Sequence, residues 1–227
     1  MWIRSEIKEI GKTNFKNNYW KSVLVAFIYQ IFFTATFIST SKKREQIGES
    51  YYSDPDKARI IGIVVAAVGV IMLIMYLVDV FLFNPLEVGC NRFFLVNQDA
   101  EADVSELAYG YKNGYFRTVI AIFLRDLLKA IGFALCVIPG LILHYSYRMV
   151  PFVLSEDPSV SCIDALKRSR MMMKGQKWKA FVFDLSFIGW YLLTFITCGI
   201  VSFFYVHPYK MNADAALYKA VRKEYGL

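Results

Sequence analysis

Charged side chains interrupt the apolar blocks of this sequence, and they are the residues best placed to do chemistry. The candidates are Asp79, Arg125, Asp126, Lys129, Arg148 and Asp184. Counted from the ends of their blocks, Arg125, Arg148, Asp184 and Asp79 lie about 13, 12, 9 and 8 Å deep. Each unpaired charge in hydrocarbon costs at least about 2.5–3.5 kcal/mol. We therefore expect one inward-facing, neutral cluster of three acids and three cations, with Lys129 at its edge and paired with Asp126 at i,i+3.

This polar cluster has two interpretations. In the first, mutual salt bridges only lock the helices together, and in the second, the charges bind an anionic headgroup or solute. An enzyme would need a nucleophile beside a base, and the sequence has no Walker-type loop, no H-E-x-x-H and no G-x-S-x-G. The four cysteines form no C-x-x-C and have no histidine at ligand spacing. We expect no catalysis, no cofactor and no metal.

The composition calls for a solvent other than water. Of the 227 residues, 56% are hydrophobic and only 20% are charged, and the mean hydropathy is +0.38. Soluble domains have about 45–50% apolar and about 25% charged residues. A net charge of +7 would suggest nucleic acid in a soluble protein, but no nucleic-acid-binding motif is present. The sequence predicts an all-α integral membrane protein, with cationic loops that face anionic lipid headgroups.

The apolar blocks predict about six transmembrane helices in a single integral membrane domain, 1–227. They lie at 22–39, 60–83, 116–138, 141–154, 178–195 and from 201 onward. A hairpin turn is expected at Pro139-Gly140, although a re-entrant 141–154 segment is an alternative. Asn84-Pro85-Leu86-Glu87 has the composition of a helix start, with Asn as N-cap, which predicts a new interfacial helix after the second span.

Lysine and arginine counts predict the orientation. Eighteen lie in the segments that face the cytoplasm if both termini are inside, against five in the loop 40–59. The positive-inside rule therefore favours N-in and C-in.

The starts of three spans resemble one another. Each has Asn or Gly, a large aromatic residue and then a cation, which suits a headgroup-level aromatic and a lysine or arginine that reaches phosphate. A basic amphipathic helix over 164–174 precedes the third. The predicted lipid-contacting residues are Trp20, Lys21, Phe116, Arg117, Lys167, Arg168, Arg170, Lys174, Trp178 and Lys179. Either the chain consists of three hairpin units, 1–95, 96–158 and 159–227, or membrane starts simply favour these residue types.

Several runs give the chain a family resemblance over nearly its whole length. They are RSEIK (4–8), NYWK (18–21), EVGCNRFF (87–94), YSYRMVP (145–151), MMKGQKW (172–178), DLSFIGW (184–190) and TCGI (197–200). The chain resembles a bacterial integral membrane family catalogued as domain of unknown function 975. More distantly, it is similar to the membrane domain of some glycerophosphodiester phosphodiesterases, without their catalytic domain. The resemblance implies a multi-pass protein of a bacterial cell membrane and brings no catalytic residues.

Two classes of function follow. The first is a non-catalytic membrane protein with a lipid-interacting, accessory or assembly role. The second is a permease-like transporter whose polar cluster lines an inward-facing cavity for a small or amphiphilic solute. Membrane lipids, especially anionic headgroups, are the expected partners; nucleic acid is not, and the sequence identifies no protein partner.

Overall fold

The structure is a computed structural model that describes residues 2–41, 55–197 and 199–226, and within them every regular element is helical, as predicted. The α-helices are α1 Arg4–Asn17, α2 Tyr19–Ser41, α3 Pro55–Val78, α4 Asn84–Val96, α5 Tyr109–Lys112, α6 Tyr115–Leu135, α7 Val137–Ser146, α8 Val150–Glu156, α9 Cys162–Met172, α10 Lys177–Leu185, α11 Ile188–Ile196 and α12 His207–Glu224. A 3₁₀ turn covers Val104–Ala108, and π-helical turns cover Asp79–Phe83 and Ser202–Val206. Most of the predicted loop 40–59, and Cys198, lie outside the described residues.

Three helical stretches in the described part are long and apolar enough to cross a membrane. They are Gly62–Val96, Val137–Glu156 and Lys177–Ile196, with 35, 20 and 20 residues. They cover the second, fourth and fifth of the predicted spans. Within the first stretch, all side chains from 62 to 78 are exposed. So large a continuous apolar surface suits lipid and not water.

The predicted helix start at Asn84 is wrong. Asn84 has helical dihedral angles (φ −60°, ψ −47°) and caps nothing, because α3, the π-helical turn and α4 form one continuous helix. Pro85 has no N–H to donate back along this helix. Tyrosine hydroxyls serve the carbonyls there: Tyr115 donates to Phe81 at 2.8 Å and Tyr111 to Leu82 at 2.5 Å. Proline is thus tolerated inside a helix whose freed acceptors have other donors.

The predicted turn at Pro139-Gly140 is also misplaced. Helix α6 ends at Leu135, and Cys136 alone is extended (φ −172°, ψ 157°) before α7 begins at Val137. Pro139 therefore lies in the first turn of α7, where a missing N–H removes no helical hydrogen bond.

The core lies where α4, α8 and α12 meet. Each of these helices has proline in its first turn. Phe93 and Phe94 of α4 and Leu217 of α12 are fully enclosed, and Phe152 of α8 stacks on Tyr218 at 5.2 Å. The cavity described below lies beside this core, and charges from α4 and α12 meet there with charges from α6, α10 and the turn between α7 and α8.

A buried amide network links this core to the N-terminal helix. Asn97 accepts from Asn18 and donates to Asn212, both at 2.9 Å. Asn212 in turn donates to the carbonyl of Pro208 at 2.9 Å. Because each buried amide has partners, the network fixes α1, α4 and α12 relative to one another.

The same order of elements recurs along the chain. One helix (α1, α5 or α9) precedes a helix with an exposed aromatic residue near its start (α2, α6 or α10), and a helix with proline in its first turn (α4, α8 or α12) ends the sequence of elements. Before α6 and α10, Gly114 and Gly175 adopt positive φ angles of 74° and 78°, which glycine tolerates without strain. The division into three units stays a prediction.

Candidate functional site: a charged cavity between the helices

The first group of charges surrounds Arg125 of α6, and we call it the Arg125 group: Glu87, Arg125, Asp126 and Lys129. The guanidinium of Arg125 donates to both carboxylate oxygens of Glu87, at 2.5 and 2.8 Å, and to Asp126 at 2.8 and 2.9 Å. Lys129 lies 3.2 Å from Asp126, which confirms the predicted i,i+3 pair. The side chain of Arg125 is only 7% exposed, so its charge depends on these carboxylates.

The second group, the Arg148 group, consists of Arg148, Asp184, Lys210 and Asp214. Arg148 donates to both oxygens of Asp184, at 2.8 and 2.9 Å, and to Asp214 at 2.8 Å. Lys210 lies 3.0 Å from Asp184 and also pairs with Asp214, one helical turn further along α12. Tyr145 donates a further hydrogen bond to Asp184 at 3.0 Å. All four charged groups are therefore mutually compensated.

Aromatic rings enclose the second group from one side. The ammonium of Lys210 lies 5.1 Å from the ring centre of Phe183 and 5.4 Å from that of Phe187. The guanidinium of Arg148 lies 5.8 Å from the ring of Tyr145. Cations at such distances over ring faces are stabilised by the ring quadrupole. The aromatic side chains therefore shield the charges from water on this side and also stabilise them.

Both groups line one cavity of about 590 Å³, a volume typical of small-molecule and cofactor sites. Asp79, from the π-helical turn, lines it too, as do Tyr29 of α2, Tyr191 of α11 and His207 of α12. The wall therefore holds five acids and four cations. Each group of four is neutral by itself, and Asp79 forms no ion pair within the described residues.

His207 is a second unsatisfied group in this wall. Its Nε2 atom is enclosed by protein and has no hydrogen-bond partner in the described part of the chain. The ring of Tyr29 stacks on the imidazole, with 5.7 Å between ring centres and 29° between planes. A buried polar atom without a partner is costly, which makes it a point where a ligand would gain a hydrogen bond.

The structure brings the six predicted charges to this cavity, but it arranges them differently from the prediction. They do not form one neutral set of three acids and three cations. Asp126 and Lys129 join Arg125 in one group, and Arg148 joins Asp184 in the other. Asp79 stands apart, and neutrality of the groups depends on Glu87, Lys210 and Asp214.

The sequence contained signals for the three missed residues. The Asn84 to Glu87 pattern resembles a helix start, which gives Glu87 a capping role and no ion pair. Lys210 and Asp214 lie in the polar continuation of the block that begins at 201, and their i,i+4 spacing is that of a helical ion pair.

The three predicted interfacial aromatics lie at matching positions. Trp20, Phe116 and Trp178 are the second residues of α2, α6 and α10, and they are 74%, 71% and 73% exposed. Lys21 pairs with Glu101 at 2.8 Å, while Arg117 and Lys179 are half-buried beside their aromatic neighbours. Large aromatic rings exposed at the starts of apolar helices are typical of a membrane interface.

The basic helix is amphipathic as predicted and runs over Cys162–Met172, capped by Ser161, which accepts from the Asp164 amide at 3.1 Å. Its apolar face, Ala165, Leu166, Ser169 and Met172, is buried within the protein and not left free for lipid. Lys167, Arg170 and Lys174 point outward, whereas Arg168 donates to Asp157 at 3.1 Å.

No group of three or more His, Cys, Asp or Glu side chains could hold a metal ion within the described ranges. Among curated proteins and among solved structures, no match to this chain is found. Residues 127–225 match the model of a family described as Protein of unknown function (DUF975). The matched region contains the whole Arg148 group, and Glu87 and Arg125 precede it. Over these residues the chain is thus similar to the first of the two families that its sequence resembles.

Proposed function

We propose that this protein is a non-catalytic, multi-pass protein of a bacterial cell membrane that holds the polar part of a lipid or other amphiphile in its charged cavity. The proposed topology is six spans with both termini inside, as one domain of three hairpin units. The observation that carries the proposal is the 590 Å³ cavity walled by charges from several helices and surrounded by exposed apolar helices. An accessory or assembly role in lipid handling fits this arrangement.

The cavity suits binding better than acid–base chemistry. Glu87, Asp184 and Asp214 are held by arginine or lysine partners, so their oxygens already accept charge-assisted hydrogen bonds. A general acid or base must exchange a proton during each turnover, which such pairing opposes. Anionic lipid is the proposed surface partner of the exposed cations Lys167 and Arg170.

A permease-like role is the second candidate, and interrupted helices favour it. Helices α10 and α11 are separated at Ser186 and Phe187, and α7 and α8 are separated at 147–149, where Arg148 lines the cavity. Broken helices around a polar midplane site are characteristic of transporters. Accelerated movement of a fluorescent lipid between leaflets of proteoliposomes would favour this candidate over an accessory role.

The test of the first proposal is lipid co-purification. Leu86 lines the cavity, so Leu86→Trp should fill it, and Leu77→Trp, on the exposed face of α3, is the matched control. We expect mass spectrometry of the purified protein to find about one retained lipid in wild type and in Leu77→Trp, and much less in Leu86→Trp. Equal amounts of retained lipid in the two variants would refute cavity binding, provided that thermal unfolding shows both variants to be folded.

A further inference from the structure

The charge that the cavity leaves uncompensated is negative. Its four cations all have carboxylate partners, because the Arg125 and Arg148 groups each contain two cations and two acids. Asp79 lines the same cavity and has no ion pair among the described residues. An added anion would meet cations that are already engaged, and it would add a second uncompensated negative charge in a poorly solvated place.

The hydrogen-bond acceptors in the cavity wall also favour a cationic ligand over an anionic one. The carboxylate of Asp79 only accepts hydrogen bonds, and the enclosed Nε2 of a neutral His207 imidazole accepts one when the other ring nitrogen carries the proton. The stacked ring of Tyr29 limits the tilt of that imidazole. A ligand group with one positive charge and several N–H donors would therefore satisfy both the Asp79 carboxylate and the Nε2 atom of His207.

We infer that the cavity binds a primary ammonium group, carried either by a lipid headgroup or by a small soluble amine. This inference rests on the proposed function and specifies the chemistry of its ligand. One ammonium compensates the charge of Asp79, and its three N–H groups can serve more than one acceptor. A quaternary ammonium would supply the charge but no donor, so it should bind less well.

The experiment compares each amine with its acetylated form, using full-length protein purified in detergent and stripped of lipid. The lipid pair is phosphatidylethanolamine and N-acetyl phosphatidylethanolamine, followed by native mass spectrometry. The soluble pair is ethanolamine and N-acetylethanolamine, followed by the shift in thermal unfolding. We expect at least one amine to bind about tenfold more tightly than its acetylated form. The pair that shows the preference identifies the source of the ammonium.

Two variants tie the preference to the site. Asp79→Asn keeps the side-chain shape and removes the charge, so it should abolish the preference. Glu101→Gln changes a surface acid paired with Lys21 and should retain it. Equal binding of amine and acetylated forms, still blocked by Leu86→Trp, would overturn the ammonium inference and leave the proposed function intact. No binding by any probe, together with no co-purified lipid, would overturn both.

Discussion

The guanidinium of Arg148 and the carboxylate of Asp184 face each other through two parallel hydrogen bonds of 2.8 and 2.9 Å, although 36 residues separate them. The pair joins the turn between α7 and α8 to the end of α10. Paired, planar contacts of this kind fix orientation as well as distance. The helices around the cavity are therefore positioned by charge pairs as well as by packing.

Removing Arg148 alone should destabilise the protein strongly. Arg148→Ala leaves Asp184 and Asp214 with Lys210 as their remaining cation, so we expect a loss of about 3–5 kcal/mol of unfolding free energy. The double change Arg148→Gln with Asp184→Asn leaves Lys210 and Asp214 as a neutral pair and should cost clearly less. Denaturant titration in detergent measures the unfolding free energy of both variants. A double change that costs as much as Arg148→Ala would contradict the coupling.

Glu87 should matter more than Asp126 for the Arg125 group. The side chain of Glu87 is 18% exposed and engages two guanidinium nitrogens from another helix, whereas Asp126 is 47% exposed and adjacent in sequence. Water compensates the loss of an exposed partner better than that of an enclosed one. We expect Glu87→Gln to lower the thermal midpoint further than Asp126→Asn, and the reverse order would disprove this ranking.

The hydroxyl of Tyr115 should contribute more to the unfolding free energy when residue 85 is proline than when it is alanine. Tyr115→Phe removes the donor to the Phe81 carbonyl and should cost about 1 kcal/mol. In a Pro85→Ala background, the restored backbone N–H can serve that carbonyl, so the same change should cost less. A double-mutant cycle on unfolding free energies tests this, and zero coupling would show that the two donors are independent.

The proposed topology is open to cysteine labelling. The native cysteines are replaced by alanine, and single cysteines are introduced as Gln46→Cys, in the predicted outer loop, or as Lys167→Cys, on the exposed face of α9. An impermeant maleimide added to intact cells should label the first and spare the second until the membrane is opened. Labelling of both from one side would refute the arrangement with both termini inside.

Asp157, between α8 and α9, should make stability depend on acid pH. Ser159 donates to it from the amide (2.9 Å) and hydroxyl (2.6 Å), and these bonds, with Arg168, lower the pKa of its carboxyl. A lowered folded-state pKa gives stability that is present above the ordinary aspartate value, about 3.9, and is lost as the pH falls through the lowered one. The stability difference between wild type and Asp157→Asn should therefore shrink in acid, by a small amount because the carboxylate is partly exposed to water. A constant difference across pH would contradict it.

The sequence predicted which charges form the polar cluster better than it predicted which of them pair. Burial cost alone identifies Arg125, Arg148 and Asp184 as groups that need partners, since they interrupt apolar runs. Pairing depends on which helices meet, and no local pattern reports that Glu87 contacts Arg125 across 38 positions. The same limit hid the Asn18, Asn97 and Asn212 network, because isolated amides resemble ordinary loop or cap residues until three helices bring them together.

The predicted helix boundaries were wrong where proline is compatible with more than one local structure. The sequence predicts a helix start at Pro85 and a turn at Pro139. In the structure, Pro85 lies inside a continuous helix and Pro139 in the first turn of α7, three residues after the extended Cys136. The hydroxyls of Tyr111 and Tyr115, from a distant segment, make the first arrangement tolerable, and local sequence does not contain that information.

The unbroken helix through the π-helical turn also has a mechanical consequence. Its 35-residue stretch Gly62–Val96 is about 52 Å long, against about 30 Å of hydrocarbon. One end is clamped, with Val88, Cys90 and Phe93 fully enclosed, while residues 62–78 are exposed on all sides. A helix longer than the hydrocarbon thickness adjusts by tilting or kinking. Asp79 lies between the exposed part and the enclosed part, and Glu87 lies where the enclosed part begins, so we expect bilayers of different thickness to change the helix angle beside the charged cavity.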